Sequence, residues 1–231
     1  MKPTFYLIAG PNGTGKSTAA YQLTPQGVEY INSDDIARQV RERFEHQEVV
    51  LQRTNEEAQR RIFNKVRERK SFSVETNLAD ESTWRFFRGI QQSGYSFELL
   101  FLCTSSIATL VKRVRQRHLD GGHFVREDVI RERYGNGLYF LNRFFDEPDS
   151  ISLFDTSEGV RMVYKRIGQE VVFEEKPFPD WMANGLTTRF KASAPSTPQA
   201  RDARTTDEVR DLYRNSQTRL PGDFSLEQLP E

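Results

Sequence analysis

Residues 10–17, GPNGTGKS, limit what this 231-residue chain can fold into more than any other stretch. They satisfy G-x-x-x-x-G-K-[S/T] at every specified position. An apolar run, TFYLIA (4–9), leads into them and a helix-forming segment, KSTAAYQL (16–23), leads out. That context is what the loop requires, because it works only between a strand and a helix. Gly10, Gly13 and Gly15 remove Cβ atoms and permit left-handed turns, so successive backbone N–H groups can point inward at phosphate oxygens. The N-terminus of the following helix adds partial positive charge. Pro11, Asn12, Thr14 and Thr18 complete the expected lining. In this reading Lys16 reaches the β- and γ-phosphates of ATP or GTP, and the Ser17 hydroxyl ligates Mg²⁺.

Short apolar runs alternate with amphipathic segments along the rest of the chain. EYIN (29–32), FSVET (72–76), SFELLFLC (96–103) and SISLFD (150–155) read as further strands. Helices are expected at 16–23, at 34–46, from Thr54 to Arg69, at 82–92, over SIATLVKRVRQRHL capped near Ser105, and over REDVIRERYGNGLYFLNRFF. The start at Thr54 rests on the capping-box spacing of Thr54 and Glu57. Strand–helix alternation predicts an α/β three-layer sandwich of the P-loop kinase-like kind, with a mostly parallel five-stranded sheet. VRMVYKRIGQEVVFEE (160–175) reads as a small hairpin turning near Ile167 and Gly168. The reading places one domain over 1–177. A C-terminal extension over 178–231 holds a Pro- and Ser-rich linker and a short helix capped at Thr206.

Composition excludes several classes. Lys plus Arg and Asp plus Glu stand at 33 each, so no net field draws the chain to nucleic acid or to a membrane surface. The lone Cys103 sits in an apolar run and reads as packing, with no disulfide framework. Three histidines show no metal-site spacing. The N-terminal apolar run is too short for a signal peptide, and no stretch has the length of a bilayer span. A cytoplasmic location is expected.

In a parallel sheet with right-handed crossovers, ligands bind at the edge where the strands end. NSDDIA (32–37) and VETNL (74–78) follow the second and third strands, bringing Asp34 or Asp35, and Glu75, to the side of the phosphate loop. Phosphoryl transfer to a hydroxyl needs a carboxylate to take the hydroxyl proton and acids to hold metal or acceptor. Ser33, Asp34 and Asp35 are also good helix caps. Glu75, at the end of an apolar strand, should face the cleft or a cation. Thr76 and Asn77 fit either the acceptor or a turn. The basic segment from Lys112 to Tyr134, with Gly121-Gly122 as a hinge, fits a lid that closes arginines over the moving charge. His123 reads as a lid or structural residue.

With "IAGPNGTGKST", "INSDDIA", "SFSVETNL" and "GGHFVREDVIRERY" in this order, residues 1 to about 176 resemble the zeta-toxin family of P-loop kinases. The resemblance implies phosphorylation of a small-molecule hydroxyl by ATP or GTP with Mg²⁺. In well-studied members that hydroxyl belongs to UDP-N-acetylglucosamine. It carries the catalytic-base role to Asp34, and with it a candidate metal contact. Glu75 becomes the acid after the third strand, Lys16 and Ser17 the phosphate and metal residues, and Arg113 and Arg133 the lid arginines, with Arg117 and Arg131 as substitutes. An antitoxin protein follows as a candidate partner. Arg126 stands where related sequences often have proline. Within this class the alternative acceptor is another metabolite or a nucleoside; outside it, the alternative is a nucleotide-binding regulator with little turnover.

Overall fold

A computed structural model describes residues 2–122 and 124–190. Seven strands form one sheet in the order β2-β3-β1-β4-β5-β6-β7. The strands are β1 (Thr4–Ala9), β2 (Glu29–Ile31), β3 (Phe72–Thr76), β4 (Ser96–Cys103), β5 (Ser150–Asp155), β6 (Arg161–Ile167) and β7 (Glu170–Glu174). The first five are parallel, as the strand–helix alternation predicts. The expected hairpin is present and does not stand apart. It continues the sheet beyond β5 as two antiparallel strands.

The helices are α1 (Lys16–Leu23), α2 (Ser33–Arg41), α3 (Gln47–Arg67), α4 (Glu81–Gln92), α5 (Ile107–Leu119), α6 (Glu127–Arg143) and α7 (Asp180–Gly185). Alternate residues of the central strands β1 and β4 feed two cores. Phe5, Leu7 and Ala9 of β1 and Phe97, Leu99, Phe101 and Cys103 of β4 face a large cluster shared with α3, α4, α5, α6 and α7. Ile8, Leu100, Leu102 and Phe154 face a smaller one under α1. Both faces are covered, so the central strands read as unbroken apolar runs. Rings dominate the larger core, with Phe5 stacked on Phe97 at 4.6 Å. Cys103 is fully buried there.

Three helix boundaries differ from expectation. The third helix begins at Gln47, and Thr54 lies inside it with its hydroxyl donating to the Val50 carbonyl at 2.7 Å. The capping-box spacing was a coincidence within a helix whose buried stripe already starts at Val50. Correspondingly, α2 stops at Arg41, and α2 and α3 pack as a helical hairpin. Ser106, rather than Ser105, caps α5 by accepting from Thr109 N at 3.1 Å. Ser105 instead accepts from the backbone N–H of Trp181.

That contact bears on the boundary read at 177. Trp181, Met182, Leu186 and Phe190 are buried in the main core, and the Trp181 indole donates to Asp155 Oδ1 at 3.0 Å. Phe190 packs edge-on against Tyr164 and Phe178. Packed structure thus runs thirteen residues past that boundary. The helix expected at Thr206 and the role expected for His123 lie outside the described residues. No helix among those described is long and apolar enough to cross a membrane.

Candidate nucleotide and phosphoryl-transfer site

β1 ends at the centre of the sheet, and the 10–15 loop folds over that edge. Gly10 has φ +137°, and a Cβ there would lie 2.1 Å from the Leu102 carbonyl oxygen of the neighbouring strand. Gly13, at φ +86°, passes 2.7 Å (by the same measure) from the Leu110 carbonyl of α5. Only glycine meets both demands at these two positions. The Thr14 hydroxyl, buried, donates to the Pro11 carbonyl at 2.9 Å and closes the turn. Gly15 caps α1 in a left-handed conformation, which leaves Lys16, Ser17 and Thr18 in the first turn.

Lys16 is folded into the loop. Its ammonium donates to the carbonyls of Gly10 at 2.7 Å and Pro11 at 3.0 Å, and to Asn77 Oδ1 at 3.3 Å. Burial pushes its pKa down from 10.5 to about 8; the carboxylates of Glu75 and, next, Asp34 pull it back up, while Arg133 and Arg117 oppose them. Both predicted acids therefore act on the same ammonium. Phosphates would raise this pKa, so nucleotide binding above pH 8 takes up a proton. Affinity is expected to be flat below about pH 8 and to fall as pH rises from 8 toward 10.5, by up to about tenfold per unit. Calorimetric titration of ATP at pH 7 and 9.5, with proton uptake read from buffers of different ionisation enthalpy, measures this.

Glu75 ends β3. Its Oε1 accepts from the Ser17 hydroxyl at 3.2 Å, and its Oε2 accepts from the Tyr30 hydroxyl and from Asn32 Nδ2 at 3.4 Å. Burial first, then the Glu75 charge, raises the Tyr30 pKa, which keeps the phenol a donor. Asn32 caps α2 by accepting from Asp34 N at 2.8 Å. The cap is Asn32, so the side chain of Asp34 is not spent on capping. It is half-exposed, 3.8 Å from Arg117 Nη1. After β3 the chain turns at Leu78, a buried leucine with φ +53°, where Thr76 Oγ1 accepts from Leu78 N. This conformation is rare for a branched side chain and is the kind of local strain that clusters at functional sites.

Of the arginines expected in a lid, Arg133 reaches the loop and donates to Asn12 Oδ1 at 2.9 Å. Burial lowers its pKa, against the pull of Glu132, Asp34 and Asp80. Arg113 does not contact the phosphate loop. It donates to the carbonyls of Thr156 and Ser157 just past β5, because its position on α5 faces that strand end. Arg117 is the α5 arginine beside Asp34. Arg131 pairs with Glu127 on the exposed face of α6, and Arg126 pairs with Asp128. Tyr30 and Asn32 were not foreseen as site residues.

The donor set fits Mg²⁺. Ser17 Oγ and the Glu75 carboxylate are adjacent hard oxygens, and Mg²⁺ takes one or two such groups alongside substrate phosphates and water. Among the described residues no three His, Cys, Asp or Glu side chains form a metal cluster.

A family model described as an AAA domain matches residues 6–136, more than half of the chain. The chain belongs to this AAA-domain family. An uncharacterized protein of Haemophilus influenzae (strain ATCC 51907 / DSM 11121 / KW20 / Rd) is 25% identical over 134 residues, covering 58% of this chain and 92% of that protein. The crystal structure of AvrRxo1-ORF1:AvrRxo1-ORF2 with sulphate ions is similar in fold, with a TM-score of 0.59 and 18% identity. It covers 93% of this chain and 71% of that one. The AvrRxo1-ORF1:-ORF2 structure with ATP gives a TM-score of 0.58 at 17% identity, covering 87% and 67%. These likenesses place the AAA domain in a P-loop, kinase-like α/β fold.

Proposed function

We propose that this AAA domain is an ATP-dependent phosphotransferase that moves the γ-phosphate to a hydroxyl of a small molecule. The observation that carries the reading is the geometry at the head of the loop: the Lys16 ammonium is folded onto the Gly10 and Pro11 carbonyls, the Glu75 carboxylate accepts from Ser17, and the half-exposed Asp34 lies 3.8 Å from Arg117. Glu75 beside Ser17 would serve Mg²⁺ in any nucleotide binder, so the discriminating residue is Asp34, a second carboxylate that a protein only holding nucleotide does not need. A kinase uses both.

The loop amides and the α1 N-terminus bind the β- and γ-phosphates. Lys16 leaves its carbonyl partners for phosphate oxygens and draws charge toward the leaving group. Mg²⁺, held by Ser17 and Glu75, would neutralise charge shared between the β- and γ-phosphates. Asp34, half-exposed and open to the acceptor side, takes the proton of the attacking hydroxyl. The acceptor oxygen then bonds to phosphorus as the bond to the β–γ bridging oxygen breaks. Arg133, half-buried against the loop, stabilises the charge on the moving group, and Arg117 is placed to join it.

The ATP-bound AvrRxo1-ORF1:-ORF2 structure supports ATP as donor. Its second chain is in line with a protein partner, which the zeta-toxin resemblance makes an antitoxin. That resemblance also makes a UDP-N-acetylsugar the first acceptor to test. Incubating the protein with γ-labelled ATP, Mg²⁺ and a panel of sugar nucleotides, nucleosides and free sugars should label at least one of them. Nucleotide binding with no label in any acceptor and no ATP turnover would refute the assignment.

A further inference from the structure

We propose that Tyr30 and Asn32 are positioning residues that fix one oxygen of Glu75 so that the other is presented to Ser17, and that Asn32 ties this carboxylate to the backbone of Asp34. The proposal rests on the phosphotransferase reading above and assigns roles that reading leaves open.

Strand register creates the cluster. Tyr30 lies opposite Ser73 and Ile31 opposite Val74, so the chain leaves β2 with Asn32 alongside Glu75. Residues two apart on a strand share a face, which puts Tyr30 on a diagonal to Glu75. Each group then uses its hydrogen-bonding capacity in one way. The phenol has a single proton and gives it to Glu75 Oε2, and its oxygen accepts from Asn32 Nδ2 at 3.1 Å. The same Nδ2 also approaches Glu75 Oε2 at 3.4 Å. Two donors therefore hold Oε2 on the β2 side, and Oε1 remains for the Ser17 hydroxyl. A carboxylate at a strand end otherwise rotates freely, and with Oε2 pinned that rotation is blocked.

Asn32 also works at its other end. Its Oδ1 accepts from Asp34 N in the first turn of α2, and the residue is 7% exposed. One planar amide thus spans from the acid of β3 to the acid of α2. Asp, Ser or Thr would cap the helix as well. Only asparagine caps with an oxygen while offering an N–H to a carboxylate, and aspartate would set a second negative charge against Glu75. The choice of asparagine is explained by Glu75 and not by the cap.

This separates positioning from structure experimentally. Tyr30→Phe removes the hydroxyl and keeps the ring. Asn32→Ser keeps a cap and removes the donor without adding a charge. The full-length protein and both variants are titrated with the fluorescent nucleotide mant-ATP, first without metal and then across Mg²⁺ concentrations. Both variants should hold metal-free affinity within about twofold and need about tenfold more Mg²⁺ for half-maximal tightening, the usual scale for losing a group that orients a metal ligand. A purely capping Asn32 predicts an Asn32→Ser protein identical to the parent. Unchanged Mg²⁺ dependence in both variants, with the parent binding normally, overturns this proposal alone. A parent protein that does not bind mant-ATP overturns the phosphotransferase reading with it. If Asn32→Ser does not fold, as judged by its circular dichroism, Tyr30→Phe alone decides.

Discussion

Replacing Asp34 by alanine is expected to lower phosphoryl transfer about a thousandfold while leaving ATP affinity within a few-fold of the parent. The asymmetry follows from where the residue sits. Its side chain is half-exposed, 3.8 Å from Arg117, and takes no part in capping α2, since Asn32 supplies the cap. Its removal costs the fold little. Its charge reaches Lys16 and Arg133 without a hydrogen bond to either, so loss of that charge slightly favours an anionic nucleotide. In the proposed mechanism, what disappears is the acceptor of the hydroxyl proton, an interaction made only as the acceptor attacks. The kinetic signature is a fall in kcat with little change in the KM for ATP. Steady-state transfer to an acceptor identified by the labelling screen measures both. Equal turnover in the alanine variant would remove Asp34 from the mechanism.

Gly10→Ala should do the opposite and damage binding and fold together. The new methyl would meet the Leu102 carbonyl at 2.1 Å, inside the sheet, where neither β1 nor β4 can yield. The backbone would also be held at φ +137°, a region essentially reserved for glycine. Overpacking and strain together are expected to cost about 3 kcal/mol or more, roughly 10 °C in Tm for a domain of this size. The Gly10 carbonyl is a partner of Lys16, so any shift of the loop disturbs the ammonium as well. Thermal unfolding and mant-ATP titration should show a lower Tm and at least tenfold weaker binding. A variant with parental Tm and affinity would mean that the loop is not built as described.

How far the sequence carried this account depends on the range of the interactions involved. The phosphate loop was legible because its constraints are local: a glycine against a neighbouring strand, a lysine one step later. The five parallel strands were legible for the same reason, since burial on both faces leaves unbroken apolar runs such as LLFLC. The start of α3 was misread because Thr54 and Glu57 have cap spacing whether or not a helix already runs through them. Only the packing of α3 against α2 shows that it does. Trp181 and Met182 stand among prolines and polar residues with no period, and their burial depends on a groove formed by β4, β5 and α6. Arg113 and Arg117, one turn apart on α5, were interchangeable on charge alone; their facing decides which meets Asp34 and which meets the β5 end. Tyr30 and Asn32 were hidden because their role requires β2 to lie beside β3 in one particular register.

The central claim is that two acids and one lysine surround the position of a terminal phosphate. The most direct measurement is a crystal structure of the protein with Mg²⁺ and a non-hydrolysable ATP analogue. The account predicts Lys16 on the β- and γ-phosphates, Ser17 and Glu75 at the metal, and an Asp34 oxygen within about 3–6 Å of the open face of the γ-phosphate, in reach of an acceptor hydroxyl directly or through one water. An Asp34 carboxylate turned away by more than about 10 Å, or a Glu75 still closed on Ser17 with the metal bound elsewhere, would contradict it.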